Sequence, residues 1–397
     1  MIKPLILKNT IQKYAWGSHF AIQQLMDISP SEEPWAEIWM GAHPKAPSQI
    51  HVDGQWISLF DFINRFPDKI LGKYTARKFN NSLPYLFKVL AAEQPLSIQA
   101  HPNAVQAKKG FERENKNGLA INAPSRNYKD THHKPECICA ITPFTGLKGF
   151  RKIPSAVELL ERFCPRGLTD EIKALKKQDL KLFFQSLMEL PDSATKSVIH
   201  EAVDNAKKQI APEIICQWIL KLYLQYPTDI GVISPLFLNL FCLEPGQALF
   251  LPAGELHAYL DGLGIELMAN SDNVLRGGLT PKHVDVPELM NVLNFVESDI
   301  EILLPECISE CEEQYPVFAD EFLLSSIHVS DSKTYISPEP RSVEILLCIH
   351  GNAHLVYNAG INESIDIKKG DSVLIPAAAD AYQLYGNAHF YKAGVPL

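Results

Sequence analysis

Apolar and polar positions follow different periods in different parts of the chain. Up to residue 150, short runs of β-branched and aromatic residues with turn signals between them predict strands, as in SLPYLFKVL, QPLSIQAHP and KPECICAITPFTGL. In residues 151–228, apolar residues recur at helical spacing and predict four or five helices. Strand character returns at residue 229 and again in the C-terminal part of the chain. The pattern therefore predicts a mainly β protein with an α-helical insertion.

Two segments of the chain resemble each other, LEPGQALFLPAGELHAY and IKKGDSVLIPAAADAY. The spacing from Gly246 to Pro252 equals the spacing from Gly370 to Pro376. His257 follows the first proline by five residues, whereas an alanine stands at the same place in the second copy. We interpret the two segments as parts of two jelly-roll units, of which the second has lost its metal ligand. The alternative is a pair of unrelated β-turns.

The change of pattern along the chain predicts three domains. Residues 1–150 and 229–300 form a discontinuous β domain, and residues 151–228 form a helical domain inserted into it. Residues 318–397 form a C-terminal jelly-roll domain that lacks metal ligands. The residues between the two β domains form a linker.

The composition excludes several classes of protein. A formal net charge of -9 argues against a general partnership with nucleic acid or anionic membranes, although a few local cations can still bind a phosphorylated substrate. No stretch resembles a membrane span or a signal peptide. The eight cysteines are scattered and form no CxxC motif, so we expect reduced thiols in the cytoplasm.

Three polar residues alternate in the segment LSIQAHP. Ser97, Gln99 and His101 would lie on one face of a strand, with Ile98 on the opposite face. A polar face inside a β-barrel is costly unless its groups are paired, and a bound metal ion would pair them. The alternative is a strand face that contacts solvent.

Two further segments supply ligand-type side chains. Glu136 begins an apolar strand in THHKPECICAI and shares a face with Lys134, and His257 follows the turn PAGELH. The alternatives are a surface ion pair and a histidine satisfied in the core; His132 and His133 are weaker candidates. Two imidazoles and a carboxylate are typical of catalytic zinc, with manganese, cobalt or iron as alternatives. The predicted metal ligands are Gln99, His101, Glu136 and His257.

Other segments of the chain add a carboxylate and several cations to the predicted metal ligands. Glu266 alternates with apolar residues in IELMANSDNVLRGGLTPKHVD, and Arg276 and Lys282 follow on a glycine-containing loop. Such cations suit a phosphate or a developing oxyanion, although an exposed basic loop is the alternative. Lys88 lies in an apolar strand, where a buried lysine needs an anionic partner.

Six segments together resemble the type I mannose-6-phosphate isomerases in their bacterial form: YAWGS, AEIWMGAHPKAPS, LPYLFKVLAAEQPLSIQAHP, NYKDTHHKPE, PAGELHAYL and ANSDNVLRGGLTPK. The resemblance covers nearly the whole chain and is weakest in the helical segment and at the C-terminus. It implies two cupin-type barrels with a helical insertion and one zinc ion on the four ligands predicted above. It also implies an active-site role for Arg276 and pocket positions for Glu266, Lys134, Ser97, Lys88 and Lys282.

The activity that the resemblance implies is interconversion of D-mannose 6-phosphate and D-fructose 6-phosphate. A proton would move between C1 and C2 through an enediol intermediate. Glu266 is the candidate base and Lys134 its rival, while Arg276 would stabilise the developing anion or the phosphate. Ser97, Lys88 and Lys282 are candidates for phosphate binding, and a monomer is expected. The competing hypotheses are a metal-dependent oxygenase and a catalytically silent sugar-phosphate binding protein.

Overall fold

The computed structural model describes residues 3–209, 213–358 and 362–397, and most of its elements are strands that pair antiparallel. The strands are β1 (Leu5–Lys8), β2 (Thr10–Gln12), β3 (Glu37–Met40), β4 (Gln49–Val52), β5 (Gln55–Ser58), β6 (Tyr85–Ala92), β7 (Ile98–Ala100), β8 (Glu136–Ala140), β9 (Phe144–Phe150), β10 (Leu238–Leu243), β11 (Ala248–Leu251), β12 (His257–Ala269), β13 (Leu275–Gly278), β14 (Glu306–Cys307), β15 (Glu312–Gln314), β16 (Leu323–Val329), β17 (Tyr335–Ile336), β18 (Glu344–Asn358), β19 (Asn362–Lys368), β20 (Ser372–Ile375) and β21 (Tyr382–Gly394). The helices are α1 (Ala21–Leu25), α2 (Leu59–Arg65), α3 (Pro67–Ile70), α4 (Lys73–Lys78), α5 (Ala104–Lys116), α6 (Ile153–Phe163), α7 (Thr169–Lys176), α8 (Leu180–Met188), α9 (Asp192–Lys207), α10 (Ile214–Gln225) and α11 (Val286–Val292), with a 3₁₀ helix at Ile230–Leu236.

The first sheet is organised around the long strand β12. This strand pairs with β6, β7, β8 and β9, and the sheet continues through β10, β11, β13, β3 and β2. The register places His257 of β12 opposite Gln99 of β7, and Glu266 of β12 opposite Lys88 of β6. One strand therefore carries two of the predicted site residues into the middle of the sheet.

The helical insertion covers one face of the first sheet. Helices α6 to α10 lie between β9 and β10 and bury apolar side chains such as Phe163, Phe183 and Ile219. Ile98 and Ala100 of β7 belong to the same core, whereas Gln99 between them lines a cavity. Because side chains alternate along a strand, packing of the helices on Ile98 and Ala100 directs Gln99 to the other face.

The second sheet draws on both ends of the chain. Its strand order is β14-β15-β16-β21-β18-β20-β1-β4-β5, with β17 beside β21 and β19 beside β18. Leu5 of β1 pairs with Leu374 of β20, so N-terminal strands continue the sheet built from C-terminal strands. The strands of residues 5–58 are therefore divided between the two sheets. The domain limits given above stay a prediction.

The two similar sequence segments adopt the same local structure. Gly246 and Gly370 both take positive φ angles, 85° and 89°, which glycine adopts without steric cost. Each glycine leads into a strand of four residues, β11 or β20, and then into a strand of thirteen residues, β12 or β21. His257 opens β12, whereas Ala381 directly precedes β21. The predicted mainly β fold with two related β units and a helical insertion is confirmed.

Candidate metal centre and adjoining cavity

Three predicted metal ligands lie together in the interior. His101, Glu136 and His257 each offer one atom that can bind a metal ion, and these three atoms all lie within 4.8 Å of one another. All three residues are buried. Nε2 of His101 lies 3.3 Å from Oε1 of Glu136, and Nε2 of His257 lies 3.2 Å from Oε2 of the same carboxylate. The carboxylate thus stands between two imidazole nitrogens, an arrangement in which one metal ion would contact all three groups.

Hydrogen bonds fix the orientation of both imidazoles. Nδ1 of His101 lies 2.7 Å from the carbonyl oxygen of Asn273, and Nδ1 of His257 lies 3.1 Å from that of Glu255. A proton on Nδ1 would be donated to the carbonyl in each case, which leaves Nε2 with a free lone pair. Nε2 of His101 is fully buried and makes no hydrogen bond. Burial, aided by Lys134, lowers the pKa of His101 to about 4, so the ring is neutral as a metal ligand must be.

Gln99 completes the donor set. It pairs with His257 across β7 and β12 and lines a small cavity of about 80 Å³ together with Glu136 and His257. Its Nε2 donates to Oγ of Ser97 at 3.3 Å, so its side-chain carbonyl oxygen is the atom left for a ligand role. This donor set of two imidazole nitrogens, a carboxylate and an amide oxygen fits zinc. A bound zinc ion would also give Nε2 of His101, which is buried without a hydrogen bond, a partner.

Lys134 controls the charge of the central carboxylate. Its Nζ lies 2.8 Å from Oε1 of Glu136, and both side chains are buried. Burial by itself raises the pKa of Glu136, but Lys134 and His101 outweigh that effect and hold the pKa well below its usual range. Glu136 is therefore ionised and available to a cation.

A second buried ion-pair group lies beside the metal ligands. Nζ of Lys88 lies 2.8 Å from Oε2 of Glu266 and 3.4 Å from Oε1 of Glu37. The expectation that a buried lysine needs an anionic partner is confirmed for Lys88. Burial raises the pKa of Glu266; Lys88 opposes this, while the nearby Glu136 and Glu37 add to it, and the net pKa is raised. Glu266 also lines the small cavity.

A larger cavity of about 270 Å³ adjoins the small one and shares Lys88 and Lys134 with it. Arg276 lines this cavity from β13, where it pairs with Gln99 of β7, and burial lowers its pKa. Lys282 lines neither cavity and is exposed. Partial desolvation of its amine, together with the charge of Arg276, lowers its pKa. The structure therefore brings together every predicted site residue except Lys282.

Several cavity residues were not predicted from the sequence. Glu37 and Trp39 share a face of β3, and Nε1 of Trp39 donates to Oε2 of Glu37 at 2.9 Å. A glutamate inside the apolar run of AEIWMG was the available signal, of the same kind as Lys88 in its strand. Lys129 also lines the larger cavity, and Asn273 holds the loop around it. Neither residue stands in a local pattern that indicates a site.

Comparison with known proteins supplies the family. The model of the type I phosphomannose isomerase catalytic domain matches residues 5–153, and that of the mannose-6-phosphate isomerase cupin domain matches residues 312–393. The chain is 39% identical to mannose-6-phosphate isomerase of Escherichia coli over 394 residues, which cover 97% of this chain and 98% of that protein. The chain belongs to the type I phosphomannose isomerase family.

Two further comparisons extend over most of the molecule. The mannose-6-phosphate isomerase of Salmonella typhimurium is 39% identical over 379 residues, with 94% of each chain covered. A solved structure of zinc-bound mannose 6-phosphate isomerase superposes with a TM-score of 0.91 at 36% identity and full coverage of both chains. Of the metal-ligand candidates, Gln99, His101 and Glu136 fall within the phosphomannose isomerase catalytic-domain match, whereas His257 lies beyond it.

Proposed function

We propose that this protein interconverts mannose 6-phosphate and fructose 6-phosphate with one bound zinc ion. The observation that carries the proposal is the buried group of His101, Glu136 and His257, which opens through Lys134 onto a cavity lined by cations. A phosphorylated sugar needs both parts, a centre for its carbonyl end and cations for its phosphate. Relatives named mannose-6-phosphate isomerase match almost the whole chain, which supports this substrate over that of an oxygenase.

The metal ligands in this proposal are Gln99, His101, Glu136 and His257. When bound, zinc supplies a Lewis acid that polarises the sugar oxygens at C1 and C2. The low pKa of Glu136 and the neutral ring of His101 mean that these ligands need lose no proton to bind the ion near neutral pH. The buried ion pair between Lys134 and Glu136 orients the carboxylate towards the two imidazoles.

Glu266 is the base that moves the proton between C1 and C2. Its carboxylate lies in the small cavity beside Glu136 and His257, and its raised pKa brings it closer to that of an efficient general base at neutral pH. Lys88, held between Glu266 and Glu37, fixes the position of the carboxylate. Lys134 is ion-paired with Glu136 and is better placed to donate a hydrogen bond to a substrate oxygen than to accept a proton.

The remaining predicted residues divide between the two cavities. Ser97 accepts a hydrogen bond from Gln99 in the small cavity and keeps its own O–H to donate to a substrate oxygen, whereas Lys88 already has two carboxylate partners. Arg276 lines the larger cavity and stabilises negative charge there, either on the enediolate or on the phosphate. Lys282 is exposed near Arg276 and would act only on a substrate that extends to the rim.

Metal removal tests the proposal. Conversion of mannose 6-phosphate to fructose 6-phosphate is measured in a coupled assay before chelation, after chelation, and after zinc is added back. We expect activity to disappear with the chelator and to return with zinc, because the four ligands leave room for substrate oxygens. A fully metal-loaded protein with no isomerase activity would contradict the proposal, and activity unaffected by complete metal removal would contradict the role of zinc.

The proposal also includes a monomer in the cytoplasm. All eight cysteines lie within the described residues and are free thiols, as is typical of a reducing compartment. Among the described helices, none has both the length and the apolar character needed to cross a bilayer.

A further inference from the structure

The loop that carries Lys129 is fixed to the metal centre. Oδ1 of Asn273 accepts a hydrogen bond from the backbone N–H of Lys129 at 2.6 Å and from that of Asp130 at 3.1 Å. The backbone oxygen of Asn273 is the partner of His101 at 2.7 Å. Oγ of Ser271 in turn donates to the carboxylate of Asp130 at 2.9 Å. Because Asn273 is fully buried, it holds the backbone of Lys129 in place relative to a predicted metal ligand.

The cations of the larger cavity fall into two groups. Lys88, Lys134 and Arg126 are ion-paired with buried glutamates, and Lys45 is ion-paired with Asp272. Lys129 and Arg276 are half-buried, line the same cavity, and make no ion pair with any carboxylate in the described parts of the chain. The second group therefore carries positive charge that is available to a ligand.

The carboxylate of Asp272 lines the same cavity but is already paired with other cations. Asp272 lies 2.6 Å from Nζ of Lys45 and 3.5 Å from Nε2 of His43, so its own partners are other cations. Burial and the nearby Lys45 lower the pKa of Lys129; Asp272 opposes this, and Arg276 lowers the pKa further. Lys129 and Arg276 line one cavity, where their like charges repel each other, and a bound dianion would relieve that repulsion.

We infer that Lys129 and Arg276 together bind the phosphate group of the substrate, and that Lys129 makes the enzyme specific for phosphorylated sugars. This inference rests on the proposed function and locates its phosphate in the larger cavity, beside the two cations that have no carboxylate partner among the described residues. Asn273 holds the backbone of Lys129, and Arg276 lies on β13, so little ordering of the backbone opposes binding. Lys129 contacts the phosphate, not the reacting carbons, so it acts on substrate binding more than on the chemical step.

The test uses the zinc-loaded full chain with Lys129→Met, and with Lys78→Met as the matched control. Lys78 lines a neighbouring cavity and is paired with Asp320 at 3.5 Å, so the control removes the same charge without removing a free cation. We expect Lys129→Met to raise KM for mannose 6-phosphate about 10- to 100-fold, the range for one lost charge-assisted hydrogen bond, with kcat changed less than about 3-fold. The inhibition constant of inorganic phosphate should rise by the same factor, and zinc content should not change. Lys129→Arg should restore most of the loss, and Lys78→Met should match the wild type.

The outcomes separate this inference from the proposed function. An active wild type with unchanged KM and unchanged phosphate inhibition in Lys129→Met would overturn the inference and leave the isomerase activity intact. If the wild type does not isomerise mannose 6-phosphate, calorimetric titration of the wild type and of Lys129→Met with inorganic phosphate tests the phosphate site by itself. Weaker phosphate binding by Lys129→Met supports the phosphate site, and equal binding overturns it. Lys129→Gln, which keeps a polar side chain, serves in the same experiments if the methionine variant does not fold.

Discussion

Replacement of Glu266 by glutamine separates its predicted role as a base from its structural role. The side chain is buried, and Oε2 lies 2.8 Å from Nζ of Lys88. Glutamine has nearly the same shape and can still accept a hydrogen bond from Lys88, but it cannot take a proton from a sugar carbon. We therefore expect turnover to fall about 100- to 10,000-fold, the usual contribution of a general base.

The same substitution also costs stability, because Lys88 loses one of its two charged partners. Complete loss of a partner from a buried pair costs ~3–5 kcal/mol. Lys88 keeps Glu37 at 3.4 Å and gains a neutral acceptor at position 266, so the expected loss lies lower, at ~1–3 kcal/mol. A loss of this size leaves the protein folded at assay temperature if its total stability is typical of a domain.

A control of the same chemistry exists in the second sheet. Nζ of Lys392 lies 2.6 Å from Oε1 of Glu312 and 3.2 Å from Oε1 of Glu344, and all three residues are buried. Glu312→Gln should therefore reduce the free energy of unfolding about as much as Glu266→Gln, but leave kcat unchanged. The assays are coupled isomerase kinetics, zinc content and denaturant unfolding of both variants.

Three results would refute this reasoning in different ways. Near-normal turnover of Glu266→Gln would remove Glu266 from the role of base and favour Lys134. Equal losses of turnover in Glu266→Gln and Glu312→Gln would mean that lost stability explains both. Loss of zinc from Glu266→Gln would mean that the residue supports the metal ligands instead of the proton transfer.

Two other predictions concern the surroundings of the cavity. His133 lies 2.7 Å from Glu321, and this hydrogen bond raises its pKa above 6.5; the stabilisation is therefore complete at pH below 6.5 and lost as the pH rises through the raised pKa. The difference in thermal unfolding between wild type and His133→Gln should shrink with rising pH, and a difference independent of pH would contradict this. A methyl group at Gly110 would lie 2.4 Å from the ring of Tyr128, so Gly110→Ala should destabilise the protein by ~1–3 kcal/mol and raise KM by shifting the adjoining loop. An unchanged melting temperature would show that the ring can move away.

Local features of the fold were predictable because short-range physics determines them. The spacing of glycine and proline around Gly246 and Gly370 predicted two equivalent turns and strands, since a turn that needs positive φ restricts the residue at that place. The alternation of Ile98 and Gln99 predicted which side chain enters the site, because a strand fixes it. The pairing of β1 with β20 was not predictable, because the two segments are more than 360 residues apart and neither contains a local pattern that indicates its partner.

The site residues also divide into those that the sequence indicates and those that it does not. Metal-ligand types are rare in apolar strands, so Glu136 and His257 stood out in the sequence. Lys129 did not, because lysine is common in polar loops and becomes notable only when its neighbours leave it without a counterion. Lys282 was an equally reasonable candidate from its position after Arg276, yet the loop carries it to the surface. Position in three dimensions, which a linear pattern does not contain, separates the two lysines: Lys129 lines the larger cavity, whereas Lys282 is exposed.

The second sheet shows which features of the first are decisive. Lys392 lies between Glu312 and Glu344 much as Lys88 lies between two glutamates, so this buried trio occurs in both β units and does not by itself create a site. The second unit has Ala381 where the first has an imidazole, and the group of three metal-ligand side chains found among the described residues lies in the first. Both sheets thus bury a lysine that is paired with two glutamates. The first unit carries two imidazoles beside a carboxylate, one of them with an unpaired buried nitrogen, and a cavity lined by Lys129 and Arg276. These are the features that a metal and a phosphorylated sugar require.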